Sequence, residues 1–592
     1  MPPLPPSRRG QDNVKPDQMV DLSRRLAQNA YDKKANPSGI VDIGSAKNEL
    51  MLDELQTWLA KYDDSRDKAE YLKYNDTQCS PELPAAAAEF MNHFFSPRIL
   101  LTSSNVLVGN GVTALLDTLF FNIADEGEVI LYPTPSYGMF THDVTTRNGL
   151  HLVGVPCDDI TEARFRQHIR PGRPQPELIN RLETAAAEQR RLGRRVAALL
   201  IANPDNPHAR CYTAELLRYM VDFCQRESMH FVADEIYALS GGANFTSVLN
   251  LDLRDAAGNV HVLWGMSKDF GMGGCRVGFV ATYNERLYQS MRTVSMFTWV
   301  SAFGGMTAAT VLSHPKYVRR RYLPMYQKAL NKRRKQLDEF LSGNLIRYTT
   351  PDAAFFAFVD LSSWLSNVQG DNDKEREIAL LEYLMARGVF LEPGSAFSAK
   401  IPGSFRLNYG TDEFIFKLGL KRLASALKEL EEEDRDSFRK EAKASRTSLL
   451  CKQFSRERRE GDPETSHTSF STCAMLIEPN KFSTEYFNDL QHTIARKPCL
   501  GSTPHSVPAP DAPQERASSA PARNDSPVSM SPPTLVSALR LSLSSFVSTL
   551  VTSGKKSQHH PAISKTREND QMESERLTER TLPVQTHALS FE

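Results

Sequence analysis

Apolar residues along the first two thirds of the chain fall into two alternating patterns. Short continuous runs, "NVLVGNG", "EVILYP", "LHLVGVP", "VAALLIANP", "HFVADEIY" and "VHVLW", have the β-branched and aromatic content of buried strands. Between several of them, "VTALLDTLFFNIA", "PELINRLETAAAEQRR" and "TAELLRYMVDFCQRES" repeat apolar positions at helical spacing. Strands separated by single helices need crossover connections. The pattern therefore predicts an α/β fold with a largely parallel sheet covered by helices on both faces.

Ligands of such sheets collect at the carboxyl ends of the strands. In chain order those ends hold Gly109 to Thr113, Tyr137 in "PTPSYG", Asn206 in "NPDNPHA", Asp234 and Tyr237 in "ADEIY", and Lys268. Singly, each has an ordinary structural reading: Thr113 as a helix N-cap, "PTPSYG" as a turn, Asn206-Pro207 as an Asx turn, Asp234 as a capping carboxylate, Tyr237 as a core aromatic. Their succession at neighbouring strand ends groups them as one site. Lys268 leaves the apolar run "NVHVLWG" on a turn containing Gly271, Gly273 and Gly274, and "RVGFVATY" reads as the next strand. Burial disfavours the charged form of an amine, and a lysine so treated becomes the nucleophile used for Schiff bases with carbonyl compounds.

The length, 592 residues, predicts two to four domains, and 40% hydrophobic content supplies a core for the ordered part. Residues 436–592 change character: "SRERREGDPE" and "STPHSVPAPDAPQERASSAPARNDSPVSMSPP" cannot bury enough apolar surface to offset chain entropy, and are expected to be mostly disordered. Lys plus Arg and Asp plus Glu both number 71, so no overall basic field favours nucleic acid or an anionic membrane. The eight cysteines lack a C-x-x-C pair or regular spacing, which leaves metal and disulfide frameworks unsupported; a reducing compartment, the cytoplasm, is expected. The start "MPPLPPSRRGQDN" lacks an apolar signal core, and no stretch approaches the ~20 apolar residues of a membrane span. Residues 535–551, "LVSALRLSLSSFVSTLV", read as low-complexity tail, with a short amphipathic helix as the alternative.

The set "GNGVTA", "PTPSYG", "NPDNP", "VADEIY" and "SKDFGMGGCRVG", followed by "FRLNYG", resembles the fold type I pyridoxal-phosphate enzymes of aminotransferase class I/II. "NPSGIVDIGSAKNEL" and "ADEGEVILYPTPSYGMF" are similar to their 1-aminocyclopropane-1-carboxylate (ACC) synthase-like branch. The likeness runs from about residue 36 to 432. It implies that Lys268 binds pyridoxal 5'-phosphate as a Schiff base and then moves the substrate's α-proton. Asp234 would face the ring nitrogen, where a carboxylate at about 4 Å contributes roughly 4 kcal/mol of attraction at an effective dielectric near 20. Asn206 and Tyr237 match the donors to the phenolic oxygen, and Tyr137 the aromatic stacked on the ring. Val112, Thr113, Ser267 and Arg276 match the phosphate site, at a helix start where backbone N–H groups and the dipole favour an anion. Ala46 and Arg406 would meet the substrate, Arg406 gripping an α-carboxylate through a planar paired contact.

Four positions depart from the family pattern. Gly265 stands where a phosphate-binding serine is usual, with Ser267 the neighbouring hydroxyl that could take its place; Thr77 replaces a tyrosine that reaches the neighbouring subunit's phosphate; Ala209 stands where "NPxG" has glycine. "AKN" replaces the "AEN" of ACC synthases, so Lys47 reverses a charge near the substrate. The resemblance implies a large cofactor-binding domain at 96–305, a small domain made of 36–95 with 306–432, an N-terminal arm at 1–35, partly disordered, and a mostly disordered tail at 433–592. It also implies a homodimer, with Ser301 directed to the partner's phosphate. An aminotransferase acting on an α-amino acid is the first expectation. An ACC synthase-like or C–S lyase-type β/γ-elimination enzyme is the alternative from the same chemistry, and a catalytically silent binding protein the alternative from another class.

Overall fold

In the computed structural model, residues 4–14, 17–63, 68–165 and 175–460 are described. The predicted strands form β1 (Val106–Gly109), β2 (Val129–Thr134), β3 (His151–Pro156), β4 (Val196–Ala202), β5 (His230–Asp234), β6 (Val260–Gly265) and β7 (Gly278–Thr282) of one seven-stranded sheet. Their spatial order is β1-β7-β6-β5-β4-β2-β3. β1, β2, β4, β6 and β7 are buried at every position, as continuous apolar runs covered on both faces should be. β3 lies at the edge and is mostly solvent-accessible.

Adjacent strands run parallel except β7, which is antiparallel to both β6 and β1. The cause is the connection: β6 reaches β7 through residues 266–277, which contain no crossover helix. Helices α1 (Val112–Ile123), α2 (Phe140–Thr145), α3 (Glu177–Arg191) and α4 (Ala214–Arg226) connect strands of the sheet. Thr213 caps α4 by accepting from the Leu216 N–H.

Trp264 on β6 is fully buried and stacks on Phe90 and Phe279, with ring centroids 5.2 and 5.7 Å away. Truncating such a side chain costs about 3–5 kcal/mol. Its indole N–H donates to Asp269 at 3.2 Å, so the packed core reaches directly into the turn that carries Lys268.

A four-stranded antiparallel sheet joins Glu392–Pro393, Ser404–Asn408, Phe356–Asp360 and Arg347–Tyr348, and puts Glu392 opposite Arg406. Val41–Asp42 pairs in parallel with Val389–Phe390. The described part of the expected N-terminal arm holds two helices, Arg8–Asp12 and Gln18–Gln28. Asp17 caps the second helix and contacts His142 at 2.9 Å, Leu22 is buried, and Arg25 pairs with Glu382 at 2.6 Å. At the other end a helix spans Glu413–Glu460, so the tail expected from 433 begins as regular structure. Arg435–Glu431 and Lys428–Glu432, each one turn apart, support it by about 0.3–0.5 kcal/mol apiece. The chain divides into Met1–Ser466 and His467–Glu592. The rest of the expected tail, with the 535–551 segment, lies outside the described residues. No described helix is long and apolar enough to cross a membrane.

Ala209 explains one departure. Its φ is +59°, a left-handed conformation natural to glycine, and its N–H and C=O are fixed by Asp205, Asp352 and Ala353. Replacing Ala209 with Gly should stabilise the protein by about 0.5–1 kcal/mol, read as a higher denaturant midpoint at unchanged slope. An unchanged or lower midpoint would show that the conformation carries no strain.

Candidate active site

Lys268 lies three residues beyond β6, in a turn held from several sides. Asn48 donates to the Lys268 carbonyl at 2.7 Å. The neighbouring Asp269 carboxylate accepts from the Leu239 and Ser240 N–H groups and from Trp264, and its carbonyl accepts from Tyr322 at 2.8 Å. Lys268 Nζ donates to the Ala46 carbonyl at 2.8 Å. Burial, with Arg406 and Arg276 nearby and Asp234 opposing them, brings its pKa down to about 8.

The turn opens on a cavity of about 400 Å³ whose walls include Ala46, Lys47, Val112, Thr113, Tyr137, Asn206, Asp234, Tyr237, Ser267, Lys268 and Arg276. Ten of the residues singled out for catalysis, cofactor or substrate are therefore together; Arg406 is not in the wall. It is buried behind it, donating to Asn206 Oδ1 at 3.0 Å and twice to the Gly44 carbonyl, 3.5 Å from Glu392. That bond fixes the Asn206 amide, leaving its N–H₂ as the free donor end.

Asp234 is 5% exposed and accepts from the Ile236 N–H at 3.2 Å. Burial pushes its pKa up to about 7, against the lowering effect of that N–H, with Asp143 adding to the rise and Lys268 reducing it. Burial likewise raises Tyr137 and Tyr237, which stay neutral hydroxyls.

The cavity fits pyridoxal 5'-phosphate. Gly111, at φ +112°, precedes α1, and any Cβ there would stand 2.5 Å from Arg276 Nη2. The guanidinium thus lies across the N-terminus of the helix, with Nη1 donating to the Gly273 carbonyl at 3.3 Å; a phosphate meets both partners it needs. Lys268 and Asp234 supply the amine and the anion for the aldehyde and ring-nitrogen ends. A Cβ at Gly265 would come within 2.9 Å of the Val277 carbonyl and 3.3 Å of Val112 Cγ2, so a serine there would crowd the packing. Ser267 and Thr113 supply aliphatic hydroxyls in the wall.

Thr77 is turned to its own chain, its hydroxyl 2.6 Å from Ser295 Oγ and bonded by Arg292. Lys47 pairs with Asp42 at 2.8 Å. The sequence reading missed Asn48, Asp269 and Asp143, all of which touch the turn or the cavity. Asp143 had a signal: with buried Phe140 and Val144 it marks the inward face of α2.

Residues 40–418 match the family "Aminotransferase class I and II". The chain is 30% identical over 414 residues to 1-aminocyclopropane-1-carboxylate synthase 9 of Arabidopsis thaliana, covering 67% of this chain and 84% of that protein. It is 29% identical over 408 residues to the human 1-aminocyclopropane-1-carboxylate synthase-like protein 1, covering 68% and 79%. Among solved structures, aspartate aminotransferase from Thermus thermophilus with maleate has the same fold, with a TM-score of 0.56, 23% identity and coverage of 72% of this chain and 100% of that one. Fold, cavity and sequence converge: the chain belongs to the aminotransferase class I and II family, as a fold type I pyridoxal 5'-phosphate-dependent enzyme of the ACC synthase-like branch.

Proposed function

We propose that this enzyme is an aminotransferase acting on an α-amino acid. The observation that carries the reading is the Lys268 amine, half-buried and depressed in pKa, in one cavity with Asp234. When bound, the cofactor supplies the electron sink that weakens bonds to the substrate's α-carbon. Lys268 holds the cofactor, then takes and returns the proton at that carbon; its pKa near neutrality suits both directions. Asp234 holds a proton at the ring nitrogen. The free N–H₂ of Asn206 and the hydroxyl of Tyr237 donate to the phenolic oxygen, and Tyr137 covers the ring face. Val112, Thr113, Ser267 and Arg276 hold the phosphate. Arg406 receives the α-carboxylate by giving up bonds to Asn206 and Gly44 that hold it behind the wall, and the Ala46 carbonyl releases Lys268 Nζ when the amine is engaged.

The second reading is elimination or ring closure of the ACC synthase type, supported by the names of the curated relatives. Against S-adenosylmethionine as substrate stands Lys47, a cation in the cavity wall where ACC synthases carry an acid. Paired with Asp42 at 2.8 Å, Lys47 offers a sulfonium no attraction.

We also infer a homodimer. Met296, Phe297 and Phe303 are more than half exposed, and Tyr74 and Trp299, with ring centroids 5.8 Å apart, extend the same apolar face. Ser301, exposed beside it, begins the helix Ala302–Leu312 and would face the partner's phosphate. The cytoplasm is the proposed compartment.

A panel of amino acids mixed with the holoenzyme should convert the cofactor to its amine form with a keto acid product for at least one of them. Lys268→Ala should lower that turnover by about 10²–10⁴-fold or more. Release of a thiol, ammonia or a cyclic product, with the aldehyde form restored, would replace transamination by the second reading; an unperturbed spectrum would contradict both. In sedimentation the protein should run at twice the mass of one chain, and the double variant Phe297→Asp, Phe303→Asp as a monomer. A monomeric parent, or an unchanged dimer in the variant, would contradict this assignment of the face.

A further inference from the structure

Asp143 carries a carboxyl that the roles above leave unused. It is 4% exposed, sits on α2 between buried neighbours, and its Oδ2 is buried with no hydrogen-bond partner among the described residues. It lines the cofactor cavity together with Thr113, Tyr137 and Asp234. A bare, ionised carboxylate oxygen in such a wall is costly, whereas the neutral acid is far less so.

Its neighbours give an ionised form little support. On α1, the Thr113 hydroxyl faces it, and Asp117 adds a like charge already paired with Arg147 at 3.0 Å. On α2 itself, His142 is the nearby group of opposite sign, and it is engaged by Asp17. Asp234 approaches from β5 and Tyr137 from the turn after β2. Of the cations lining the cavity, Lys268 acts on Asp234, Arg276 acts on Lys268, and Lys47 is paired with Asp42. Burial first, then Asp117, pushes Asp143 up to about 7, against the lowering effects of Thr113 and His142.

We propose that Asp143 is a positioning residue that serves the cofactor as a neutral carboxylic acid. Set between the phosphate-binding start of α1 and the ring-nitrogen carboxylate, it keeps its proton: burial raises both carboxyls to about 7, and a cation at the ring nitrogen would select Asp234 as the one that ionises. No anion then stands beside the phosphate at Thr113. When Asp143 ionises, its proton passes to bulk water and the remaining carboxylate repels the phosphate. Cofactor binding therefore favours protonated Asp143 and raises its pKa further. The resulting affinity is full below the pKa of the free protein, about 7, and is lost as pH rises through the higher pKa of the complex.

The test uses pyridoxamine 5'-phosphate, which has the same ring and phosphate but no aldehyde to react with Lys268. Its dissociation constant is measured for the full-length cofactor-free protein, for Asp143→Asn and for Asp143→Ser. Lys268 and Asp234 titrate in all three, so their own pH dependence cancels in the ratio of wild type to variant, which leaves Asp143 and its coupling to Asp234. That ratio should lie within about twofold of one at about pH 6 and reach about tenfold by about pH 9, with the wild type the weaker binder. The serine variant, smaller and equally uncharged, should follow the same curve if the asparagine variant folds poorly. A ratio that stays constant with pH, as a purely structural carboxyl would give, overturns the proposal. So does tighter binding by the wild type at high pH, or failure of the wild type to bind at any pH.

Discussion

A half-buried amine and a buried carboxylate that share one cavity are the constraint around which this enzyme is built. Neither charge is comfortable there: burial pulls Lys268 down to about 8 and lifts Asp234 to about 7, and each partly relieves the other. A shift of one unit corresponds to about 1.4 kcal/mol, so the apoprotein carries a destabilised pair that a ligand with complementary ends can relieve. The rest of the fold holds that pair in place. Asn48 and Tyr322 bind the carbonyls of Lys268 and Asp269, and the Asp269 carboxylate gathers Leu239, Ser240 and Trp264.

Sheet topology explains how distant residues converge. Parallel strands present their carboxyl ends on one side, which brings Thr113, Tyr137, Asn206, Asp234 and Lys268 into one wall. The antiparallel return through β7 then carries Arg276 back to the start of α1. Gly111 lacks the Cβ that would block its guanidinium there. Arg406 comes from the smaller antiparallel sheet, and its hold on the Asn206 amide links that sheet to the cofactor's neighbourhood.

Much of this was legible in the sequence because strand periodicity and motif order are local signals. The six apolar runs became strands, and the residues at their ends became the cavity wall. The antiparallel direction of β7 needed the observation that "MSKDFGMGGCRV" contains no crossover helix. What stayed hidden depends on contacts between distant segments. Asn48 reaches Lys268 across 220 positions, and Asp143 gains its meaning from a cavity that α2 alone does not define. The N-terminal helices were missed because their order rests on tertiary ties such as Arg25 to Glu382. The length of the terminal helix is hidden in a charged composition that its one-turn ion pairs make helical. Gly265 and Ala209 were visible as departures, but their reasons, crowding by Val277 and Val112 and a left-handed backbone, are three-dimensional.

The central claim is that Lys268 is the amine that holds the cofactor. Reducing the protein with borohydride in the presence of pyridoxal 5'-phosphate, then mapping the modified peptides by mass spectrometry, tests it directly. The account predicts a single stoichiometric pyridoxyl mark on Lys268. A mark spread over exposed lysines, with Lys268 unmodified, would contradict it.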